Sequence, residues 1–285
     1  MKNYQNQILQ RENKKPILYD LYHPGDKKAV PLVIFCHGYK GFKDWGTWHL
    51  VAQAFANNRF CFVKFNFSHN GGTVEQPIDF PDLDAFGQNN YSKELADLED
   101  LINHIQNTYA TLTHCQNITL IGHSRGGGIV TLYGAEDARV STVVSWAGVS
   151  DFKKRFPTGD LFDTWQEKGV SYITNARTQQ QMPHYFQFWE DFAANETRLT
   201  ISRAAAELTH KNHLIVHGTR DTSVTFDEAE NLHQWNPKSE LYILEGADHV
   251  FGARHPWNED TLPPFLKDTV KKTIDFIKQK TSRSK

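Results

Sequence analysis

The chain has 285 residues and a formal net charge of −2, enough for one large α/β domain with an insertion or for two small domains. Its apolar and charged fractions, 39% and 22%, are those of a globular chain. The near-neutral balance argues against nucleic acid or an anionic membrane as a partner. No apolar run approaches the length of a membrane span, and the first fifteen residues lack the apolar stretch of a secretory signal. The three cysteines, Cys36, Cys61 and Cys115, are odd in number and lack metal-ligand spacing. They read as free thiols, the first two buried, in a reducing and hence cytoplasmic compartment. The Asn-x-Ser/Thr triplets at Asn66, Asn90, Asn117 and Asn195 are then chance.

Short apolar runs alternate with helical patterns along the chain. Leu32 to Cys36 reads as a strand buried on both faces. The i, i+3, i+4, i+7 spacing of Trp48, Val51, Ala52 and Phe55 predicts a helix, and Phe60 to Phe65 a second strand. Leu95, Leu98, Ile102 and Ile105, continuing to Tyr109, predict another helix, with Ser92 as its N-cap. Strand candidates follow at Ile118 to Ile121, Val140 to Trp146, His213 to Val216 and Leu241 to Leu244. Leu266, Val270, Ile274 and Ile277 mark a terminal helix. Strand and helix in alternation argue for a doubly wound, mostly parallel sheet.

One segment breaks the alternation. Between Trp146 and His213 no core strand is evident, yet ten aromatic residues fall from Phe152 to Phe192. A bare loop of that length is unusual in a compact domain. It reads as an inserted cap, with a small hairpin over Val170 to Ile173 and the turn Thr174 to Arg177. The expected organisation is core residues 1–149, cap 150–210 and core 211–285.

The strongest motif is Gly122-His123-Ser124-Arg125-Gly126, a G-x-S-x-G between a strand candidate and the possible helix Gly127 to Gly134. A serine on so sharp a turn needs glycine on both sides to avoid a clash. It then sits at a helix N-terminus, which favours developing negative charge. A serine hydroxyl needs a base. His249 lies on the turn after Leu241 to Leu244, past the last strand and before the terminal helix. The base needs an acid to hold its tautomer. Asp221 follows the strand His213 to Val216 and the turn His217 to Arg220. Asp227 and Glu228 read as the first turn of the next helix, and Asp248 as pointing elsewhere. Developing oxyanion charge needs backbone donors. Arg125 N–H and Tyr39 N–H, in the loop His37-Gly38-Tyr39-Lys40-Gly41, are the candidates. His37 reads as a brace for that loop. No metal-ligand spacing is present among the histidines, and no cofactor is expected.

Together, His37-Gly38, the G-x-S-x-G, His217-Gly218-Thr219-Arg220-Asp221 and Asp248-His249 resemble the α/β-hydrolase superfamily. Within it the chain is similar to dienelactone-hydrolase-like and prolyl-oligopeptidase-like bacterial esterases, including acyl and feruloyl esterases. The resemblance implies the triad Ser124, Asp221 and His249, with the Tyr39 and Arg125 amides as oxyanion donors. Dienelactone hydrolases proper carry a cysteine nucleophile, so dienelactone is not the expected substrate. Lipases of the H-G-G-G type have glycines where Tyr39 and Lys40 stand here. A serine nucleophile also argues against epoxide hydrolase or dehalogenase chemistry.

The expected activity is hydrolysis of a small-molecule ester through an acyl-enzyme on Ser124. The cap aromatics and the loop Phe65 to Gly72 suggest an apolar or aromatic substrate. Two other readings stand beside it: an exopeptidase or other amide hydrolase, and a ligand-binding protein on a hydrolase scaffold. Oligomeric state is not legible.

Overall fold

A computed structural model describes residues 1–25 and 28–282. The chain opens with two strands, β1 (Lys2–Arg11) and β2 (Lys14–His23), paired as an antiparallel hairpin. The core strand β3 (Val30–Cys36) and helix α1 (Trp48–Asn57) follow, then β4 (Cys61–Phe65), the short α2 (Leu83–Gly87) and the long α3 (Tyr91–Thr108). Next come β5 (Thr113–His123), α4 (Arg125–Glu136) and β6 (Val140–Trp146). The inserted segment holds α5 (Asp160–Lys168), β7 (Val170–Thr174), β8 (Gln181–Tyr185), α6 (Gln187–Ala194) and α7 (Ile201–Glu207). The chain returns to the sheet with β9 (Asn212–Gly218), α8 (Phe226–Trp235), β10 (Glu240–Leu244) and α9 (Pro264–Ser282).

Eight strands form one sheet in the order β1-β2-β4-β3-β5-β6-β9-β10. From β4 to β10 all neighbours are parallel, and β2 is antiparallel to both β1 and β4. The continuous apolar runs have a simple cause. Side chains alternate across a strand, and both faces are covered. Leu32, Ile34 and Cys36 of β3 pack into one core layer with α3 and α4. Val33 and Phe35 pack into the other, against Trp48, Val51 and Phe55 of α1 and Leu266, Val270 and Ile274 of α9. Cys36 and Cys61 are both buried, as expected, and Cys36 is a free thiol; the Cys115 thiol lies outside the described side chains.

The structure departs from the sequence reading in three places. The β1–β2 hairpin is absent from the sequence reading: β1 is an edge strand whose residues are mostly exposed, whereas β2 carries a buried run from Ile17 to Tyr22, interrupted by the charged Asp20. The N-cap of α3 is Asn90, not Ser92: the Asn90 side chain accepts from Lys93 N–H at 2.9 Å. Ser92 sits inside the first turn and donates instead to Asp191 of α6 at 2.9 Å. The loop Phe65 to Gly72 does not line the cavity near Ser124. Phe65 and Phe67 are core residues, and Asn70 donates to the Gly41 carbonyl, so the loop underpins the segment after β3 from below.

That segment is anchored by a buried ion network. Lys43 and Lys64, at 2% and 0% side-chain exposure, share Asp20 and Asp44. Nζ–carboxylate distances are 2.6–2.9 Å. The network joins β2, β4 and the loop after β3. Charges buried in this way hold geometry because removing one partner strands the others.

Candidate active site

The site lies at the carboxyl ends of the central strands, where loops leave the sheet. Ser124 stands between β5 and α4 with φ 58° and ψ −120°, a left-handed conformation that costs a non-glycine residue on the order of 1–3 kcal/mol. Surrounding backbone bonds hold it there. Ser124 N–H donates to the Trp146 carbonyl at 3.0 Å, and its own carbonyl accepts from Gly127 and Val149 N–H. The flanking glycines touch: a β-carbon on Gly122 would lie 2.1 Å from the Gly126 carbonyl oxygen. Gly38 packs so near that a β-carbon there would sit 2.9 Å from the Ser124 Cβ. The loop after β3 therefore lies directly against the serine. Arg125 opens α4, so its N–H has no intrahelical acceptor.

His249 and Asp221 are 28 residues apart and in contact. His249 Nδ1–H donates to Asp221 Oδ2 at 2.7 Å. The other carboxylate oxygen, Oδ1, accepts from Ser223 and Val224 N–H, both at 2.9 Å. His217 Nε2 adds a donor 3.3 Å from Oδ2. Burial alone would raise the Asp221 carboxyl; the His217, His249 and Val224 donors outweigh it and hold the group well below the ordinary carboxylate range. The two loops are also tied directly, by Arg220 N–H to the Ala247 carbonyl at 3.0 Å.

Neighbouring residues brace the frame. His123 Nε2–H donates to the His249 carbonyl at 2.9 Å. Burial, then the nearby His249, pushes its pKa down to about 3. His37 Nδ1–H donates to the Gly38 carbonyl at 2.9 Å while its Nε2 accepts from Phe67 N–H. Burial lowers its pKa to about 4. It is a neutral brace in the loop, as its sequence position suggested. Asp248 turns away and accepts from Gly252 N–H at 2.7 Å. Asp227 and Glu228 open α8, and the Glu228 carboxylate reaches across to Ser150 N–H at 2.7 Å.

Ser124 and His249 line one cavity of about 470 Å³, with Tyr39, Tyr91 and Arg125 from the core side. Its opposite wall comes from the inserted segment: Phe152, Phe156, Trp165, His184 and Phe188. Tyr91 stacks on Phe152 at 3.7 Å between ring centres, nearly parallel. Phe156 meets Phe188, Trp189 and Phe192 within 5.3 Å. The Tyr39 hydroxyl and His184 Nε2 are 2.9 Å apart, joining the loop after β3 to β8. The sequence reading missed Tyr91, His184 and the side chains of Lys40 and Arg125. Tyr91 lies just before the helix expected from Ser92 onward, and the other three gain meaning only when the insert folds over them. Among the described residues no three His, Cys, Asp or Glu side chains come together as metal ligands.

The chain belongs to the alpha/beta hydrolase family, which it matches over residues 33–259. It is 29% identical over 119 residues to a monoacylglycerol lipase of Mycolicibacterium smegmatis, covering 42% of this chain and 37% of that protein. Its structure is similar to Est1E from Butyrivibrio proteoclasticus with ferulic acid bound: TM-score 0.72, 15% identity, covering 97% and 99% of the two chains. It is also similar to the acylaminoacyl peptidase of Pyrococcus horikoshii: TM-score 0.66, 14% identity, covering 98% of this chain and 42% of the other. At these identities the structural likeness speaks for the fold. No described helix is long and apolar enough to cross a membrane.

Proposed function

We propose that the protein is a serine esterase acting on small-molecule esters, with Ser124 as nucleophile, His249 as general base and Asp221 orienting the histidine. The observation that carries this is the 2.7 Å contact of His249 with the buried Asp221, where His249 lines the same cavity as a left-handed Ser124 at a helix start. His249 Nδ1–H is committed to Asp221, which leaves Nε2 as the proton acceptor. Ser124 Oγ attacks the ester carbonyl as His249 takes its proton, and the oxyanion is held by the Tyr39 and Arg125 amides. The C–O bond to the alcohol breaks and the alcohol leaves with the proton from His249. Water then attacks the acyl-enzyme through the same base, returning Ser124 and the carboxylic acid.

In this reading residues 150–210 form a cap over a core made of 1–149 and 211–285, and its rings favour an apolar or aromatic substrate. The names of the esterase and lipase relatives agree with an ester. The buried free thiol of Cys36 agrees with a reducing, cytoplasmic compartment.

Fluorophosphonate labelling with mass mapping tests it. An adduct on Ser124 that forms much more slowly in Asp221→Asn and His249→Ala establishes the triad. A folded wild-type protein that takes no label overturns the esterase and favours a binding protein on this scaffold.

A further inference from the structure

The cavity wall is one-sided in charge. Lys40, Arg125 and Arg155 face it, and no Asp or Glu is among its described lining residues. The acids that answer these cations stand behind the wall, unevenly. Arg155 is matched by Glu228. Arg125 reaches Glu94 by one long contact, Nη1 to Oε1 at 3.4 Å, although a guanidinium carries five donors. The Glu94 carboxylate also accepts from Asn89 at 2.7 Å. Among the described residues, no carboxylate lies within ion-pair distance of the Lys40 ammonium. It sits 5.2 Å from the Tyr39 ring centre.

The position of Arg125 is fixed by rings. Its Cζ is 4.4 Å from the Tyr39 ring centre and 5.4 Å from those of Tyr91 and Phe188. The side chain keeps 16% of its exposure, and that exposure is toward the cavity. His184 registers the field: burial, then the charges of Arg125 and Lys40, lower its pKa to about 4. Two cations against the single Glu94 leave one positive charge uncompensated beside an apolar chamber. There a charge interacts more strongly than in water. A planar guanidinium is shaped for a carboxylate.

We propose that the pocket selects esters that carry a free carboxylate on an apolar or aromatic body, with Arg125 and Lys40 as the anion anchor beside Ser124. This rests on the esterase reading and narrows it. A half-ester of a short dicarboxylic acid has the required form: one end is cleaved and the other is held.

The test compares monoethyl adipate with ethyl adipamate, which has the same length but a neutral amide for the acid. The wild type is expected to favour the acid in kcat/KM by about 10- to 100-fold, the range for hydrogen bonds to charged groups. Lys40→Met and Arg125→Gln should each pull that ratio toward one, chiefly through KM for the acid. Removing Arg125 strands buried Glu94, so the double variant Glu94→Gln/Arg125→Gln is measured alongside. Free adipate should also slow fluorophosphonate labelling of the wild type and lose that effect in Lys40→Met. A wild-type ratio of one or below with Ser124 still labelled overturns the anchor and leaves the esterase standing. So does a ratio preserved in the variants. Inorganic phosphate protecting Ser124 better than adipate overturns the carboxylate in favour of a phosphate. Failure to hydrolyse either ester or take the label overturns both readings.

Discussion

The loops after β5, β9 and β10 and the inserted segment between β6 and β9 face each other across one cavity, and they are held by different forces. In the loops polar atoms are fixed by polar partners. Asp221 has two backbone donors and two histidines, Ser124 is bonded at both its N–H and its carbonyl, and His249 is tethered by His123. In the insert the contacts are mainly ring on ring, around Phe156 and Trp165. Directional bonds locate atoms closely; apolar contacts hold bodies together while tolerating changes of side chain. The loops therefore suit chemistry that is spoiled by small displacements. The insert suits a wall whose shape sets which substrate enters.

Substitutions can break that division. The largest effect should come from Ser124→Ala, with kcat on an activated ester falling about 10⁴- to 10⁶-fold and Tm nearly unchanged. Activity that survives would move the nucleophile elsewhere. Asp221→Asn should cost about 10⁴-fold in kcat, because the amide favours the wrong histidine tautomer; a loss under tenfold would show that Asp221 is only structural. On the other side of the cavity, Phe156→Ala should destabilise by about 3 kcal/mol in urea unfolding and raise KM for aromatic esters. Ser124 should still take a fluorophosphonate. If labelling disappears with the ring, the two regions are not separable.

Acid sharpens the same contrast. His37, His123 and His213 are buried and neutral, with pKa values lowered by burial to about 4, 3 and 4. In each the unfolded chain takes up its proton first, near pH 6.5. Stability is full above that pH and drains as pH falls toward 4, and toward 3 for His123. The slope is up to about 1.4 kcal/mol per pH unit for each group. Asp221, held low, keeps its contribution until pH falls below the ordinary carboxylate range. Unfolding free energies that stay level from pH 7 to 5 would contradict this. The smallest effect is a gain: Ser124→Gly should abolish turnover yet stabilise by about 1 kcal/mol, since glycine accepts the left-handed backbone without strain.

The division also decides what could be read before folding. The parallel strands were legible because burial on both faces leaves uninterrupted apolar runs, as in Leu32 to Cys36. The placement of Ser124, Asp221 and His249 on loops at strand ends was legible because turns after apolar runs mark where such loops fall. The edge strand β1 was not, since exposure on the sheet rim removes the alternation that would mark it. Asn90 and Ser92 are both good caps by type, and the choice between them was made by Asp191, 99 residues away in sequence from Ser92. The anchoring of the loop after β3 by Lys43 and Lys64 was equally hidden, because buried lysines are written in the sequence as surface ones are. For Lys40 and Arg125 the obstacle was the insert itself, whose fold decides which side chains face the cavity.

The exposed turn between β7 and β8, at Ala176 and Arg177, lies between the serine and its two partners in chain order. On the proposed assignment, a cut there would put the nucleophile on one fragment and both the base and the acid on the other, with each fragment inert alone. The strands β6 and β9 that join them are adjacent and parallel in the sheet, so reassembly would restore the triad. If the proposed esterase activity holds, the molecule is a template for a split reporter, in which ester turnover measures whether two tethered proteins have met.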